Sequence, residues 1–312
     1  MQPDPAALRT FSDDPDQLGE SPFWCAHDAT LWWVDIAGRA LRARGLDGRE
    51  RRWACDEEPG CIAPAPDGRI LVALRSRLAL FDPRDGSLQT LCAVPFDTAT
   101  TRCNDGRCDP RGRFWVGTVF EPRTGPEAAL YCLRHSPAGA WELQQELGGA
   151  VTANGLAFSP DGTRAWWTNT PDHLIRSFAF DLQEGRFGAA RDFARFARKG
   201  EEARYGGRPD GVAIDNQGAY WVAMYEGGRV LRFAPDGTLL LELEVPVVAP
   251  TMVCLGGPAL RTLFITSAGK GRPAGELAAR PASGHVLAIE LDDLGLGTEV
   301  CGLTAAVFDP QA

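Results

Sequence analysis

Six positions in this sequence fall at one recurring phase. Glu20, Cys61, Asp105 with Asn104 beside it, Asn154, Asp210 and Thr251 each stand 10–13 residues ahead of a bulky residue in an apolar run. Four of the six positions carry an acid or an amide. Brought to one point, the carboxylates of Glu20 and Asp210 and the amide oxygen of Asn154 repel one another unless a cation joins them. Oxygen donors of this kind suit Ca2+, Mg2+ or Mn2+, with Zn2+ at lower preference. Three protein ligands leave coordination positions open for water and substrate, as metal-assisted hydrolysis requires. At the third position the phase ranks Asp105 and Asn104 equally.

The competing role for Asn-Gly and Asp-Gly pairs is the hairpin turn. It fits Asp67-Gly68, Asp161-Gly162 and Asp236-Gly237, which directly link apolar runs. Asn154-Gly155 and Asp210-Gly211 instead precede apolar runs of their own, 156–158 and 212–214, each followed by a separate turn. A chemical role is the stronger reading for those two, and for Asn104-Asp105-Gly106 the two readings balance. Glu20 gains its significance from sharing their phase. Other chemistries find little support. There is no G-x-S-x-G elbow, no H-E-x-x-H and no phosphate loop. The four histidines, at 27, 135, 173 and 285, lie far apart in sequence, and His135 and His173 read as loop caps. Cys61, Cys103 and Cys108 lie at or near the phase, but a thiol nucleophile needs a histidine partner and none falls there.

The elements that must position these residues recur. Trp33, Leu71, Trp115, Trp167, Trp221 and Phe264 anchor apolar runs preceded by turns, with spacings of 38, 44, 52, 54 and 43 residues. A second run with period-two alternation follows each anchor: 40–46, 78–81, 130–133, 175–180, 230–233 and 285–289. Units of this length with four strands each are the blades of a propeller. Six of them predict an all-β, six-bladed β-propeller spanning 1–312 as one domain. A two-domain β-sandwich would not need such regular units. In a propeller the innermost strand of each blade runs along a central channel, so the phased residues converge at one channel end. Insertions are expected at 119–129, 184–207 and 268–284, with 191–199 a solvated connection.

Composition fits this reading. Gly 35 and Pro 23 exceed the usual share and imply many tight turns, while 44% hydrophobic and 23% charged residues are ordinary globular values. A net charge of −9 argues against general affinity for nucleic acid or an anionic membrane. No apolar run reaches the length of a membrane span, and Met1-Gln2-Pro3-Asp4-Pro5 lacks the features of a signal peptide. Nine cysteines without a C-x-x-C pair are expected to be reduced thiols of a cytoplasmic protein.

Several motifs, in order, resemble the regucalcin/gluconolactonase (senescence marker protein) family. They are Leu18-Gly-Glu-Ser-Pro22 with Leu31-Trp-Trp-Val-Asp-Ile36, Arg102-Cys-Asn-Asp-Gly-Arg-Cys-Asp-Pro110 with Gly112-Arg-Phe-Trp-Val-Gly-Thr118, and Asn154-Gly-Leu-Ala-Phe-Ser-Pro-Asp-Gly162. Pro209-Asp-Gly211 and Thr266-Ser-Ala-Gly-Lys-Gly271 complete the series, so that the likeness covers about residues 15–290. The resemblance implies a six-bladed propeller with one catalytic divalent cation that hydrolyses a small sugar lactone to the aldonic acid. It implies Glu20, Asn154 and Asp210 as metal ligands, Asp210 also as general base, and Arg102, Asn104 and Glu121 as substrate contacts. It alone separates Asn104 from Asp105. Two departures stand out: Ser21 where Gly is common, and cysteines flanking Asn104. Rival readings are a metal-dependent propeller esterase or organophosphatase, and a non-enzymatic calcium-binding regulator. No obligate protein partner is expected. The choice among gluconolactone, xylonolactone, arabinonolactone and galactonolactone is expected to rest on loops 119–129 and 268–284.

Overall fold

Each anchored run forms the second strand of a four-stranded antiparallel sheet, and six such sheets make a ring. A computed structural model describes residues 7–202 and 204–312; the reading of Met1 to Pro5 lies outside the described residues. A two-residue strand, β1 (Arg9–Thr10), precedes the blades. Blade 1 comprises β2 (Gly19–Cys25), β3 (Thr30–Asp35), β4 (Ala40–Gly45) and β5 (Glu50–Ala54). Blade 2 comprises β6 (Pro59–Pro64), β7 (Ile70–Leu74), β8 (Arg77–Phe81) and β9 (Leu88–Ala93). Blade 3 comprises β10 (Thr101–Cys108), β11 (Phe114–Phe120), β12 (Ala128–His135) and β13 (Trp141–Ala150). Blade 4 comprises β14 (Ala153–Phe158), β15 (Arg164–Asn169), β16 (Leu174–Asp181) and β17 (Arg186–Arg195). Blade 5 comprises β18 (Arg208–Ile214), β19 (Tyr220–Tyr225), β20 (Arg229–Phe233) and β21 (Leu239–Glu244). Blade 6 comprises β22 (Pro250–Gly256), β23 (Thr262–Ser267) and β24 (Leu287–Glu290), and its outer strand is β1, paired with β24 from the other end of the chain. The molecule is a six-bladed β-propeller.

The core lies between blades. Six apolar clusters each join one pair of neighbouring sheets, including the pair that closes the ring, where Trp24, Leu31 and Trp33 meet Phe264, Val286 and Ala288. Trp33, Trp115, Trp166 and Trp221 are almost completely buried; truncating any one to Ala would cost about 3–5 kcal/mol. Three of these indoles bond to buried aspartates: Trp33 Nε1 to Asp16 at 2.8 Å, and Trp115 to Asp109 and Trp221 to Asp215 at 3.0 Å. Each aspartate also accepts from an arginine, Arg42, Arg113 or Arg232, so a buried Trp-Asp-Arg triad recurs in three blades.

One expectation needs correction. Residues 186–195, inside the span expected to be an insertion, form β17, the outer strand of blade 4. Seven of those ten residues are exposed, which blurs the alternation that marks a half-buried strand. The span 268–284 does lie between strands but contains a short helix, α1 (Ala274–Ala279). Among the described residues no helix is long and apolar enough to cross a membrane.

Candidate active site

All six phased positions lie near the start of an innermost strand: Glu20 on β2, Cys61 on β6, Asn104 and Asp105 on β10, Asn154 on β14, Asp210 on β18 and Thr251 on β22. Every one of these strands carries a one-residue bulge there. In β2 the register jumps from Glu20–Val34 to Phe23–Trp32, and in β14 from Asn154–Thr168 to Ala157–Trp166. Equivalent jumps follow Pro59, Cys103, Pro209 and Pro250. A bulge re-aims the side chain beside it and bends the strand, so a sixfold set of bulges turns the first residues of the inner strands toward the channel end. The conformations required explain the local sequence. Gly155 has φ +63°, and a Cβ there would lie 2.8 Å from the Tyr220 hydroxyl. Ser21 takes the same left-handed region at φ +50°, where glycine is the natural occupant. Its hydroxyl accepts from Ile62 N–H at 2.9 Å and so ties blade 1 to blade 2.

A continuous chain of hydrogen bonds runs through the site. Arg102 Nη1 donates to Asn104 Oδ1 at 2.8 Å, and Asn104 Nδ2 donates to Asn154 Oδ1 at 2.6 Å. Asn154 Nδ2 donates to Asp210 Oδ1 at 2.5 Å and to Thr170 Oγ1 at 2.8 Å. Thr170 in turn donates to the Pro209 carbonyl at 3.0 Å. This threonine, absent from the expectations, fixes the amide orientation of Asn154. It lies in a short turn after β15, outside the repeating phase, so no spacing pointed to it. Glu121, at the rim, faces Arg102 at 3.6 Å and pairs with both guanidinium nitrogens of Arg75 at 3.0–3.1 Å. Asp105 turns away from this chain: its Oδ2 accepts from Leu156 N–H at 3.1 Å and its Oδ1 is buried without a partner.

The electrostatics of the site are unbalanced. Burial pushes the Glu20 carboxyl well above the usual carboxylate range, and the charges of Asp210 and Asp105 push it further. Asp210 is raised to about 8, first by burial and then by Asp105, with Arg208, Arg102 and the Asn154 bond only partly opposing. Three acids thus crowd a desolvated site with insufficient positive charge to hold them ionised. Among the described residues, Glu20 Oε2 accepts only from the Ser21 N–H at 3.3 Å and Asp210 accepts only through Oδ1. Glu20 Oε1 and Asp210 Oδ2 are therefore open. No three His, Cys, Asp or Glu side chains among the described residues group to hold an ion by themselves; the donor set here is two carboxylates and an amide oxygen. Open oxygens and unopposed negative charge fit a hard divalent cation.

The remaining candidates fall elsewhere. Cys61, Cys103 and Cys108 pack in the apolar cluster between blades 2 and 3, and burial raises all three thiols, Cys103 to about 12. The cysteines beside Asn104 are thus packing residues. His173 bonds to Tyr205 at 2.8 Å and His135 stacks on Trp141. A cavity of about 440 Å3 opens at the other end of the inner strands, lined by Phe23, Arg107, Ile214, Met252 and the C-terminal segment around Leu303. Its lining carries no carboxylate, whereas Glu20, Asp105 and Asp210 lie near the bulges.

The model of the SMP-30/Gluconolactonase/LRE-like region matches residues 18–269. The chain belongs to this family. It is 41% identical over 288 residues to a 6-deoxy-6-sulfogluconolactonase of Pseudomonas putida, covering 91% of this chain and 95% of the relative. It is 34% identical over 298 residues to an L-arabinolactonase of Azospirillum brasilense, covering 94% and 95%. The solved structure of a calcium-binding protein, regucalcin, from Agrobacterium tumefaciens superposes with a TM-score of 0.86 at 27% identity, covering 97% of each chain.

Proposed function

We propose that this SMP-30/gluconolactonase-family protein hydrolyses an aldonolactone to its aldonic acid with the help of one divalent cation held by Glu20, Asn154 and Asp210. That it is a carboxylic-ester hydrolase of the lactonase kind follows from its family and from the activities of its relatives. The observation that carries the finer reading is the chain Arg102–Asn104–Asn154–Asp210, which ends at a buried carboxylate whose charge acts on Glu20.

When bound, a divalent cation would polarise the lactone carbonyl and favour negative charge on its oxygen. The Asp210 carboxylate takes a proton from the water that adds to the carbonyl carbon. The ring C–O bond then breaks, and the departing ring oxygen recovers that proton from Asp210. Arg102 and Asn104 hold substrate hydroxyls and fix which face of the ring meets the water. Glu121 accepts a further hydroxyl at the rim while restraining Arg102. Asp210→Asn keeps the Asn154 contact but removes the base, so turnover at saturating metal should fall by roughly a hundredfold or more. Wild-type turnover in that variant would remove Asp210 from the base role.

A further inference from the structure

Arg208 opens β18 two residues before Asp210, roughly 7 Å of strand from it. Its side chain is 25% exposed at the rim, and its guanidinium makes no hydrogen bond to any described residue. Two weaker contacts hold it: it lies over the Tyr225 ring at 5.2 Å, and it faces Glu226 Oε2 at 3.5 Å. That carboxylate is shared, because Arg272 reaches its other oxygen at 3.2 Å and Lys199 at 3.9 Å. Arg272 is in addition closed by Glu276 at 2.6 Å. Three cations therefore share two carboxylates in this cluster, so no carboxylate is given over to Arg208 alone. Across the site the arginines are engaged: Arg102 by Asn104 and Glu121, and Arg75 by Glu58 and Glu121.

A planar guanidinium over an aromatic ring, partly exposed and with donors left unbonded, has the chemistry of a receptor for an oxyanion. We propose that Arg208 binds an anionic group on the carbon of the substrate farthest from the lactone carbonyl, and so selects charged over neutral aldonolactones. A carboxylate, a sulfonate and a phosphate share the required chemistry. The proposal rests on the lactonase reading above. With the carbonyl beside Asp210, a six-carbon lactone extends about as far as the strand distance to Arg208. Glu226 competes for the same guanidinium and sets how tightly the anion is held.

The test compares kcat/KM for gluconolactone with that for its 6-phosphate, its 6-sulfonate and the analogue with a carboxylate at carbon 6, all with saturating metal. The best charged lactone should exceed the neutral one by about tenfold or more. Arg208→Gln should lower that ratio roughly ten- to hundredfold, the range of one charge-assisted contact. Glu226→Gln should raise it, a direction that damage to the fold does not produce, and added salt should lower it. Equal kcat/KM for charged and neutral lactones in the wild type, or an unchanged ratio in Arg208→Gln, would overturn the proposal while leaving the lactonase reading intact. Failure to hydrolyse any lactone with any metal would defeat both.

Discussion

Stripping the metal should make the stability of this protein fall as pH rises, and the site geometry sets the size of the effect. Asp210 has an ordinary value of 3.8 and is raised to about 8 in the fold. Between those values the unfolded chain has released this proton and the metal-free folded chain has kept it. The contribution is thus fully present below 3.8 and is lost as pH rises through about 8, with a slope of about 1.4 kcal/mol per pH unit. From about pH 6 to about pH 8 the metal-free protein should lose roughly 2–3 kcal/mol from this group alone, or about 5 °C in Tm for a chain of this size. Glu20, raised in the same direction, adds to the loss. A cation bound by these carboxylates would replace the proton and remove the dependence, so its stabilising effect should grow with pH. Asp16, raised to about 7 by burial, titrates in the same window, so the informative quantity is the difference between wild type and Asp210→Asn. Thermal melts in chelator across this range should show a wild-type slope that is much reduced in the variant. A flat or rising metal-free profile, or identical slopes in the two proteins, would refute the reasoning.

Thr170→Val removes the hydroxyl that orients the Asn154 amide and should weaken metal binding about ten- to hundredfold, measured by calorimetric titration of the chelated protein. Ser21→Ala keeps the left-handed strain and leaves the Ile62 N–H without its partner, costing about 1–2 kcal/mol. Ser21→Gly relieves the strain and should cost less, a ranking that urea unfolding resolves. Asp215→Asn leaves Arg232 buried without its counter-charge and should cost about 3–5 kcal/mol by the same assay. The exposed turn acid Asp236 changed to Asn should stay within about 0.5 kcal/mol.

The propeller was legible in the sequence because each blade repeats a turn, a buried anchor and an alternating run. Trp33, Trp115 and Trp221 serve those roles as read. The placement of Glu20, Asn154 and Asp210 near the starts of innermost strands was legible for the same reason, since one phase along equivalent strands means one end of those strands. What escaped the repeat has a physical cause in each case. β17 faces solvent along most of its length, so burial leaves little imprint on its pattern. β1 is two residues long and closes the ring through pairing with a strand nearly 280 residues away. Thr170 acts on the site from a turn outside the phase. The phase could not divide Asn104 from Asp105, because adjacent residues at a bulge differ in which way they face; the family resemblance divided them, and the structure bonds Asn104 to Asn154 and Asp105 to Leu156.

We propose that lactone hydrolysis depends on one divalent cation held by Glu20, Asn154 and Asp210. A pH-indicator assay with a panel of aldonolactones tests it most directly, using chelated protein titrated with Ca2+, Mg2+, Mn2+ or Zn2+ and corrected for spontaneous ring opening. Chelation should abolish turnover, one ion per chain should restore it, and Glu20→Gln and Asn154→Ala should shift the restoring concentration upward. Full turnover in chelator, or restoration curves unmoved by both substitutions, would contradict it.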